Sequence, residues 1–472
     1  MSTNQLSSEG AFDILELQNN WFRAYRADSK WLKQSYLDLE GYKKPRTRLS
    51  MNSAKIACAE LANLLFSEPP QIEADKAILD ILKANKFLKN SKNLSEYIAA
   101  LGGGAYKLRS DGERIMIDYV KAYNIKPISN SNGEIEEADF LSERVIKNKT
   151  FTLVEKHRRL YKNIPLQNED GTMLTVKGMP VLSDELSFEG YSITTEMYDA
   201  GRKVDLPPDI NGYQEMRVKR PLFTYIKTSL ANNFNPDSPI GISYYANALD
   251  TLQALDVAFD CLFSELELGQ KRIIVPTSAL RTVTDKTTGK QSRYFDPTDR
   301  VFVAFKADQD TGDLDIKDNS TELRTEEIKN AIQVLLDILC MQIGFSAGYM
   351  AFDSGGMKTA TEVISNNSKT FKTKTAFENE MSEGMVDIMN SIREVLEIGG
   401  STLSTDEYSV TFDDSVIEDR SSKMLYWADM VLNGFATKTM AIMKIYGISE
   451  EEAKKRVALI ALEAPKPVGI SF

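Results

Sequence analysis

One stretch of this sequence, residues 358–398, keeps a helical pattern without a single proline. At 1.5 Å per residue it predicts a helix roughly 60 Å long, far above the usual three or four turns. Gly384 is the position of low helix propensity in this pattern, and Gly399-Gly400 ends the pattern. The apolar positions form one stripe, which is more typical of intramolecular core than of a subunit interface: Phe377, Met381, Met385, Ile388, Ile392 and Val395.

The centre of the chain has two further helical patterns with a β-rich segment between them. Residues 241–268 place apolar side chains at steps of three and four, which predicts a helix roughly 40 Å long. A second helix is predicted over residues 325–343. Between them, residues 272–276 and 300–305 are strand-like and flank a hairpin tip at residues 285–290. The predicted order is therefore helix, small β module, helix.

The first half of the sequence changes from helical to strand-like character. Residues 11–67 predict helix that Pro69-Pro70 ends, and shorter helices are predicted at 77–87 and 94–101. Between residues 105 and 225 the apolar period shifts towards two, with turn residues separating the runs. This part predicts an antiparallel β meander or a small barrel.

The last part of the sequence is helical apart from two segments. A glycine-rich connection at residues 344–356 precedes the long helical pattern, and a strand is predicted at 408–412. Residues 417–461 predict a helical C-terminal section. Taken with the β-rich first half, the whole pattern predicts an α+β fold.

The charge balance limits how this chain can meet nucleic acid. It has 57 Lys and Arg residues against 68 Asp and Glu residues, a formal net charge of −11. A protein held on DNA by general charge neutralisation needs a basic surface, because the affinity comes from counterions released at each phosphate contact. The composition therefore argues against a DNA clamp and leaves room for a protein that meets DNA without gripping it.

Cysteine and histidine usage argues against a structural metal site. Cys58, Cys261 and Cys340 lie far apart, and His157 is the sole histidine. A Cys/His zinc site is nearly excluded by these numbers, and the absence of a disulfide framework suits a reducing compartment. The sequence has no apolar run long enough to cross a bilayer and no signal-peptide pattern at its start. We expect a soluble protein that is made in a cytoplasm.

Motifs for catalysis are weak or missing. Gly102-Gly103-Gly104 lacks the Lys-Ser/Thr that follows in a phosphate-binding loop. Residues 308–319 imitate a calcium loop, but the glycine and the final glutamate of that motif are not in place. One histidine and no GxSxG argue against a Ser/His hydrolase. Asp413-Asp414 leaves a metal-dependent nuclease as the alternative from another class, but we expect no enzyme activity and no cofactor.

Four segments of this chain resemble a known family, and their order and spacing carry the resemblance. They are residues 52–68, 241–249 with Phe259-Asp260, 269–273, and 356–370, which begins Gly-Met-Lys-Thr-Ala-Thr-Glu-Val. Together they resemble the phage portal family of the SPP1 and A118 type, from about Trp21 to the end of the long helical pattern.

The resemblance implies a portal fold with named parts. Helices that bracket a small module would form the stem, and the β-rich half would form the wing. The implied boundaries are wing 1–240, first stem helix 241–270, clip 271–320, second stem helix 321–343, tunnel loop 344–357, spine helix with a wing strand 358–416, and crown 417–472.

The resemblance also implies partners and a location. Portal subunits form a ring, of twelve copies in the virion, at one capsid vertex, and double-stranded DNA passes through it without sequence specificity. The implied partners are the terminase large subunit, scaffolding and major capsid proteins, and a head-completion protein; no membrane is involved. Assembly would take place in the bacterial cytoplasm. A structural protein of the same particle without a channel is the alternative.

Three sets of residues are candidate sites under this reading. For the channel-lining part of the stem we expect Asp256, Asp260 and Glu267, whose alternative role is a solvated or intersubunit helix face. For the tunnel loop we expect the DNA-facing residues Tyr349, Met350, Phe352, Asp353, Ser354 and Lys358. For terminase or adaptor contact at the clip we expect Asp285, Lys286, Lys290 and Arg293.

Overall fold

The computed structural model describes most of the chain. The described residues are 8–37, 41–110, 112, 114–165, 175–176, 179–180, 182–268, 273–274, 281–284, 289, 291–294, 317–318, 322–351, 367–405, 407–412, 420–446, 448 and 450–463. The chain splits into two units. One unit takes in Met1–Lys30, Asn52–Leu252 and Asp337–Phe472, and the other takes in Trp31–Met51 and Gln253–Leu336.

The N-terminal region is helical at both ends but not in its middle. Its elements are α1 (Ser8–Tyr25), β1 (Lys33–Leu37), β2 (Lys43–Thr47), α2 (Ser53–Leu65), β3 (Gln71–Glu73), α3 (Lys76–Ala84) and α4 (Phe87–Leu101). The prediction of helix over residues 11–67 is therefore wrong between α1 and α2, where β1 and β2 pair as an antiparallel ribbon. Gly41 lies between the two strands and has φ +83°, a backbone conformation that favours glycine.

The described β-rich part forms two antiparallel sheets and a separate pair of two-residue strands, as the period-two pattern predicts. Its strands are β4 (Gly103–Ser110), β5 (Ile115–Lys121), β6 (Ile125–Ser131), β7 (Glu134–Ile146), β8 (Lys149–Pro165), β9 (Thr175–Val176), β10 (Met179–Pro180), β11 (Leu182–Asp199), β12 (Arg202–Val204), β13 (Tyr213–Met216) and β14 (Phe223–Lys227). A six-stranded sheet has the order β12-β11-β8-β7-β6, with β13 also on β11, and a second sheet has the order β14-β4-β5.

The central helices bracket short β pairs. The elements are α5 (Leu249–Leu268), β15 (Ile273–Ile274), β16 (Arg281–Thr284), β17 (Gln291–Tyr294), β18 (Lys317–Asp318) and α6 (Thr325–Ile343). Strand β16 pairs with β17, which confirms a hairpin around the predicted tip, and β15 pairs with β18. The predicted strand at residues 300–305 lies outside the described residues.

The first central helix begins later than its apolar pattern predicts. A short 3₁₀ turn at Ala246–Ala248 precedes α5, and residues 241–245 are not helical. The Tyr244 N–H donates to the Ala99 carbonyl at 3.0 Å, and the Thr228 hydroxyl donates to the Ile242 carbonyl at 2.6 Å. These tertiary hydrogen bonds outweigh the local helical preference of the segment.

The rest of the chain is built on one long helix. The elements are α7 (Ser368–Ile398), β19 (Ser409–Thr411), α8 (Arg420–Leu432), α9 (Lys438–Tyr446) and α10 (Glu450–Glu463). The predicted stripe is intramolecular core, since Phe377, Met381, Met385, Ile388 and Ile392 are each 0% exposed. Strand β19 pairs with β3, which joins two segments that are far apart in the sequence. Within the described ranges, every helix is too short or too polar to span a bilayer.

Gly384 lets α7 approach β14 closely. A Cβ atom at this position would lie 2.4 Å from Cγ1 and 2.6 Å from Cδ1 of Ile226, which is itself buried. The position that is weakest for helix propensity is therefore the one where the helix needs the smallest side chain.

We predict that Gly384→Ala lowers the free energy of unfolding by about 1 kcal/mol, because overpacking costs about 1–3 kcal/mol and exceeds the gain in helix propensity. In an Ile226→Ala background the same change should instead raise the free energy of unfolding, because the clashing atoms are gone. Denaturant titration of the four chains measures both effects. An equal loss of free energy of unfolding in both backgrounds would contradict the close contact between residue 384 and Ile226.

His157 is buried in an aromatic environment. Its ring lies edge-on to Phe140 and Phe223, with centroid distances of 5.1 and 5.5 Å. Burial lowers the pKa of His157, Glu155 acts in the opposite direction, and Lys107 lowers the pKa further. The imidazole is therefore held neutral in the folded chain.

We predict that stability falls as the pH drops below about 6.5, because the unfolded chain then binds a proton that the folded chain resists. His157 is the sole histidine, so a His157→Phe variant should lose this part of the pH dependence. The measurement is the free energy of unfolding of both chains between pH 7 and pH 5. The difference in the free energy of unfolding between the two chains should change by up to about 1.4 kcal/mol per pH unit. Parallel curves would show that His157 does not cause this pH dependence.

Candidate functional site

The Asp256 carboxylate, predicted to line a channel, faces the N-terminal segment of its own unit. The side chain lies on α5, and the residue is 6% exposed. It accepts hydrogen bonds from Trp31 Nε1 at 2.9 Å, from Ser50 Oγ at 2.7 Å and from the Met51 N–H at 3.1 Å. Three donors from a distant part of the sequence therefore satisfy one buried carboxylate.

Asp260 lies one helical turn further along α5 and has the same role. It is 7% exposed, and its Oδ2 accepts from Arg46 Nη2 at 2.8 Å. Its Oδ1 accepts from the Leu49 N–H at 3.3 Å. Arg46 belongs to β2, so the ion pair fastens the β1–β2 ribbon to the helix.

These contacts correct the expectation for two of the three stem carboxylates. A residue that repels DNA from a channel wall must present its charge to solvent, and neither Asp256 nor Asp260 does so within the subunit. Their charge holds the chain segment 31–51 in place. Glu267, on the same helix, is exposed, so a role in lining a channel remains a prediction for that residue.

The β1–β2 ribbon is the feature that sequence reasoning missed. Its five residue pairs run from Lys33↔Thr47 to Leu37↔Lys43, and every residue of both strands is exposed. Gly41 and Pro45 argue against helix at this place and are the signal that could have found the ribbon. The partner Asp260 is 214 positions from Arg46, so no local pattern indicates it.

The first half of the predicted tunnel loop is anchored rather than open. Gly344 follows α6 with φ +85°, and the Phe345 N–H donates to the Cys340 carbonyl at 2.7 Å. The Ser346 N–H donates to Thr370 Oγ1 at 2.8 Å, which ties the loop to α7. These hydrogen bonds hold the first half of the connection against α6 and α7.

Tyr349 completes the anchor. Its hydroxyl donates to Glu60 Oε1 at 2.7 Å, and burial together with that hydrogen bond raises its pKa. Met350 follows it and is half-buried. The other candidates of this loop, Phe352, Asp353, Ser354 and Lys358, lie outside the described residues.

The clip candidates are described only in part. Arg293 lies on β17, where its Cα is paired with that of Thr282 on β16. Asp285, Lys286 and Lys290 lie outside the described residues, so their role in partner contact stays a prediction.

A groove between the two sheets carries paired charges. It has a volume of about 910 Å³ and is lined in part by Lys107, Asp118 and Glu155. The buried Lys107 ammonium lies 2.5 Å from a Glu155 oxygen and 3.4 Å from an Asp118 oxygen. Burial raises the pKa of Glu155, but His157 and Lys107 beside it together lower that pKa to about 2. Among the described residues no group of three or more His, Cys, Asp or Glu could hold a metal ion.

We predict that Asp256→Ala destabilises the chain by about 2–4 kcal/mol, because it leaves three part-buried donors without their acceptor. Asp256→Asn keeps one acceptor oxygen and should cost less. Glu267→Ala, on the exposed part of the same helix, should change stability by less than about 0.5 kcal/mol. Denaturant unfolding gives these values, and limited proteolysis should show faster cleavage within residues 31–51 in Asp256→Ala. A loss no larger than that of Glu267→Ala would contradict the anchor.

Comparison with known proteins places the sequence of this chain in a family. The sequence matches the family described as phage portal protein, SPP1 Gp6-like, over residues 14–168 and 190–463. No curated protein matches the chain.

Two solved structures are also similar over most of their length. One is a chain from the virion of the native gene transfer agent particle, 13% identical with a TM-score of 0.45, over 92% of this chain and 93% of that one. The other is from the neck of the native gene transfer agent particle computed with C12 symmetry, 12% identical with a TM-score of 0.44, over 94% and 95%. Because the family match spans nearly the whole sequence, this chain belongs to the SPP1 Gp6-like family of phage portal proteins.

Proposed function

We propose that this chain is the subunit of a twelve-membered ring at one capsid vertex, through which double-stranded DNA is packaged and later ejected. Membership of the portal family over residues 14–168 and 190–463 carries this proposal. A head-to-tail contact repeated around an axis closes into such a ring when the rotation per subunit fits. The proposed role is structural, with no catalysis and no cofactor.

The parts of the chain take distinct roles in this proposal. Helices α5 and α6 form the stem, and the module between them forms the clip, which contacts the terminase large subunit and a head-completion protein through Asp285, Lys286, Lys290 and Arg293. Helix α7 is the spine. The sheets form the wing, and α8 to α10 form the crown. Scaffolding and major capsid proteins are further partners in the virion, which assembles in the host cytoplasm.

A conduit must keep DNA from sticking to its wall. Each Lys or Arg paired with a phosphate releases counterions and strengthens attachment, so a basic lining would hold the duplex. A chain with net charge −11 suits a channel wall that does not hold the duplex. Because Asp256 and Asp260 are covered by their own subunit, Glu267 is the proposed acidic residue of the stem lining.

The tunnel loop has an anchored base and a proposed DNA-facing part. The hydrogen bonds of Ser346 to Thr370 and of Tyr349 to Glu60 fix the base against the unit that contains α7. The proposed DNA-facing residues follow Tyr349: Met350, Phe352, Asp353, Ser354 and Lys358.

The test is how strongly the assembled protein retains a linear duplex. We expect weak retention with a shallow dependence on salt, and no cleavage with Mg²⁺ or Mn²⁺. Glu267→Lys should convert the stem into a gripping surface, so that retention rises and its logarithm falls more steeply with salt, by about one unit of slope per phosphate contacted. Glu407→Lys, an exposed residue outside the stem, is the control with the same charge change. DNA turnover, or equal retention by both variants, would contradict the proposal.

A further inference from the structure

The β1–β2 ribbon exposes several large side chains with apolar surface to solvent. Tyr36 is 51% exposed, Leu37 is 71% exposed, and Tyr42, between the strands, is 67% exposed. A two-stranded ribbon alone is marginally stable in water, since it lacks a third element to cover one face. The anchors at Asp256 and Asp260 hold the base of the ribbon, and every residue of both its strands is exposed.

The strand register assigns the side chains of the ribbon to two faces. Residues opposite each other in an antiparallel pair share a face, and successive residues alternate. Arg46 contacts α5, so its face is the inner one. Lys33, Leu37 and Lys43 have the other parity and lie on the outer face. The outer face therefore combines one large apolar side chain with two cations.

The ribbon is also basic in an acidic chain. Residues 30–48 contain six basic residues against two acidic ones: Lys30, Lys33, Lys43, Lys44, Arg46 and Arg48 against Asp38 and Glu40. The whole chain has the opposite balance, with 57 basic and 68 acidic residues. A second copy of this chain is therefore a partner of complementary charge.

The part of helix α6 that belongs to the same unit, up to Leu336, presents a surface that matches the outer face of the ribbon. Its buried residues Ile332 and Leu336 lie on one side, whereas Val334 is 59% exposed on another. Leu323, just before the helix, is 44% exposed. Glu326 and Glu327 are exposed in the first turn. The start of the helix carries Glu326 and Glu327 beside Lys329, which lies 3.8 Å from Glu326, and its middle exposes Val334.

We propose that the β1–β2 ribbon of each subunit docks on helix α6 of the neighbouring copy. Leu37 packs near Val334 of the neighbour, and Lys33 and Lys43 lie near its Glu326 and Glu327. The ribbon and α6 are two different surfaces of one chain, so the contact is head-to-tail and repeats from copy to copy. It rests on the proposed ring and adds the pair of surfaces that joins two subunits.

Double-stranded DNA is the competing occupant of a basic ribbon. A ribbon in contact with phosphate would hold the duplex in the channel, against the requirement for low retention. Complementary charge within one chain and the apolar Leu37 both favour protein over DNA as the partner.

A cross-link between two different variants tests the contact directly. One chain carries Leu37→Cys and Cys261→Ser, and a tagged second chain carries Val334→Cys and Cys261→Ser. Cys58 and Cys340 are buried, so each chain offers one exposed thiol. After co-assembly and treatment with a flexible bismaleimide, only neighbouring subunits can form the tagged heterodimer. Leu425→Cys, another exposed leucine, replaces Leu37→Cys as the control.

We expect a heterodimer with the Leu37→Cys chain and several-fold less with the Leu425→Cys control. Lys33→Glu with Lys43→Glu should raise the protein concentration at half-assembly by about tenfold, since two to three ion pairs are reversed. The control is Lys76→Glu with Lys83→Glu, two exposed lysines of α3, which makes the same change in net charge. This control should change the protein concentration at half-assembly by less than about twofold. Adding Glu326→Lys and Glu327→Lys to the ribbon variant should restore assembly.

The outcomes separate this inference from the proposed ring. If the unmodified chain forms no ring, the proposed function fails. If the ring forms but the heterodimer is no more abundant than in the control, the ring stands and this inference fails. If the ribbon variant assembles normally and instead loses DNA retention, the ribbon faces DNA and the inference is wrong.

Discussion

The apolar stripe of α7 is the constraint on which the larger unit depends. Its fully buried residues run from Phe377 to Ile392, and segments from distant parts of the sequence fasten to the same helix. Ser391 donates to the Pro221 carbonyl at 3.0 Å, and Ser382 donates to the Val410 carbonyl at 2.8 Å. Ile226 of β14 fills the space left by Gly384. One long helix thereby organises a sheet, a loop and a short β pair.

The smaller unit depends on charge instead. Asp256 and Asp260 are buried on α5, and their cost of desolvation is offset by five donors from residues 31–51. Removing one partner of such a network is expensive, because the remaining groups stay buried without compensation. The acidic residues of this chain therefore have two roles. Some hold its parts together, and exposed ones such as Glu267 set the character of its surface.

Local patterns in the sequence predict much of this fold, and apart from the overlooked helix breakers Gly41 and Pro45 the failures come from contacts between distant residues. The stripe of α7, the period-two strands and the β16–β17 hairpin are encoded by neighbouring residues, so the sequence predicts them. The ribbon and the late start of α5 depend on contacts across more than a hundred positions, such as Arg46 with Asp260 and Tyr244 with Ala99. Two carboxylates one turn apart on a helix are typical of a solvated face, and only the tertiary structure shows what covers them.

We propose that these subunits build a ring around an opening that DNA can cross. Electron microscopy of the purified, assembled protein tests it most directly, through the symmetry and the axial profile of averaged particles. We expect a closed ring of twelve copies with an open axis wide enough for a duplex. A chain that stays monomeric under all assembly conditions, or a closed assembly without an axial opening, would contradict it.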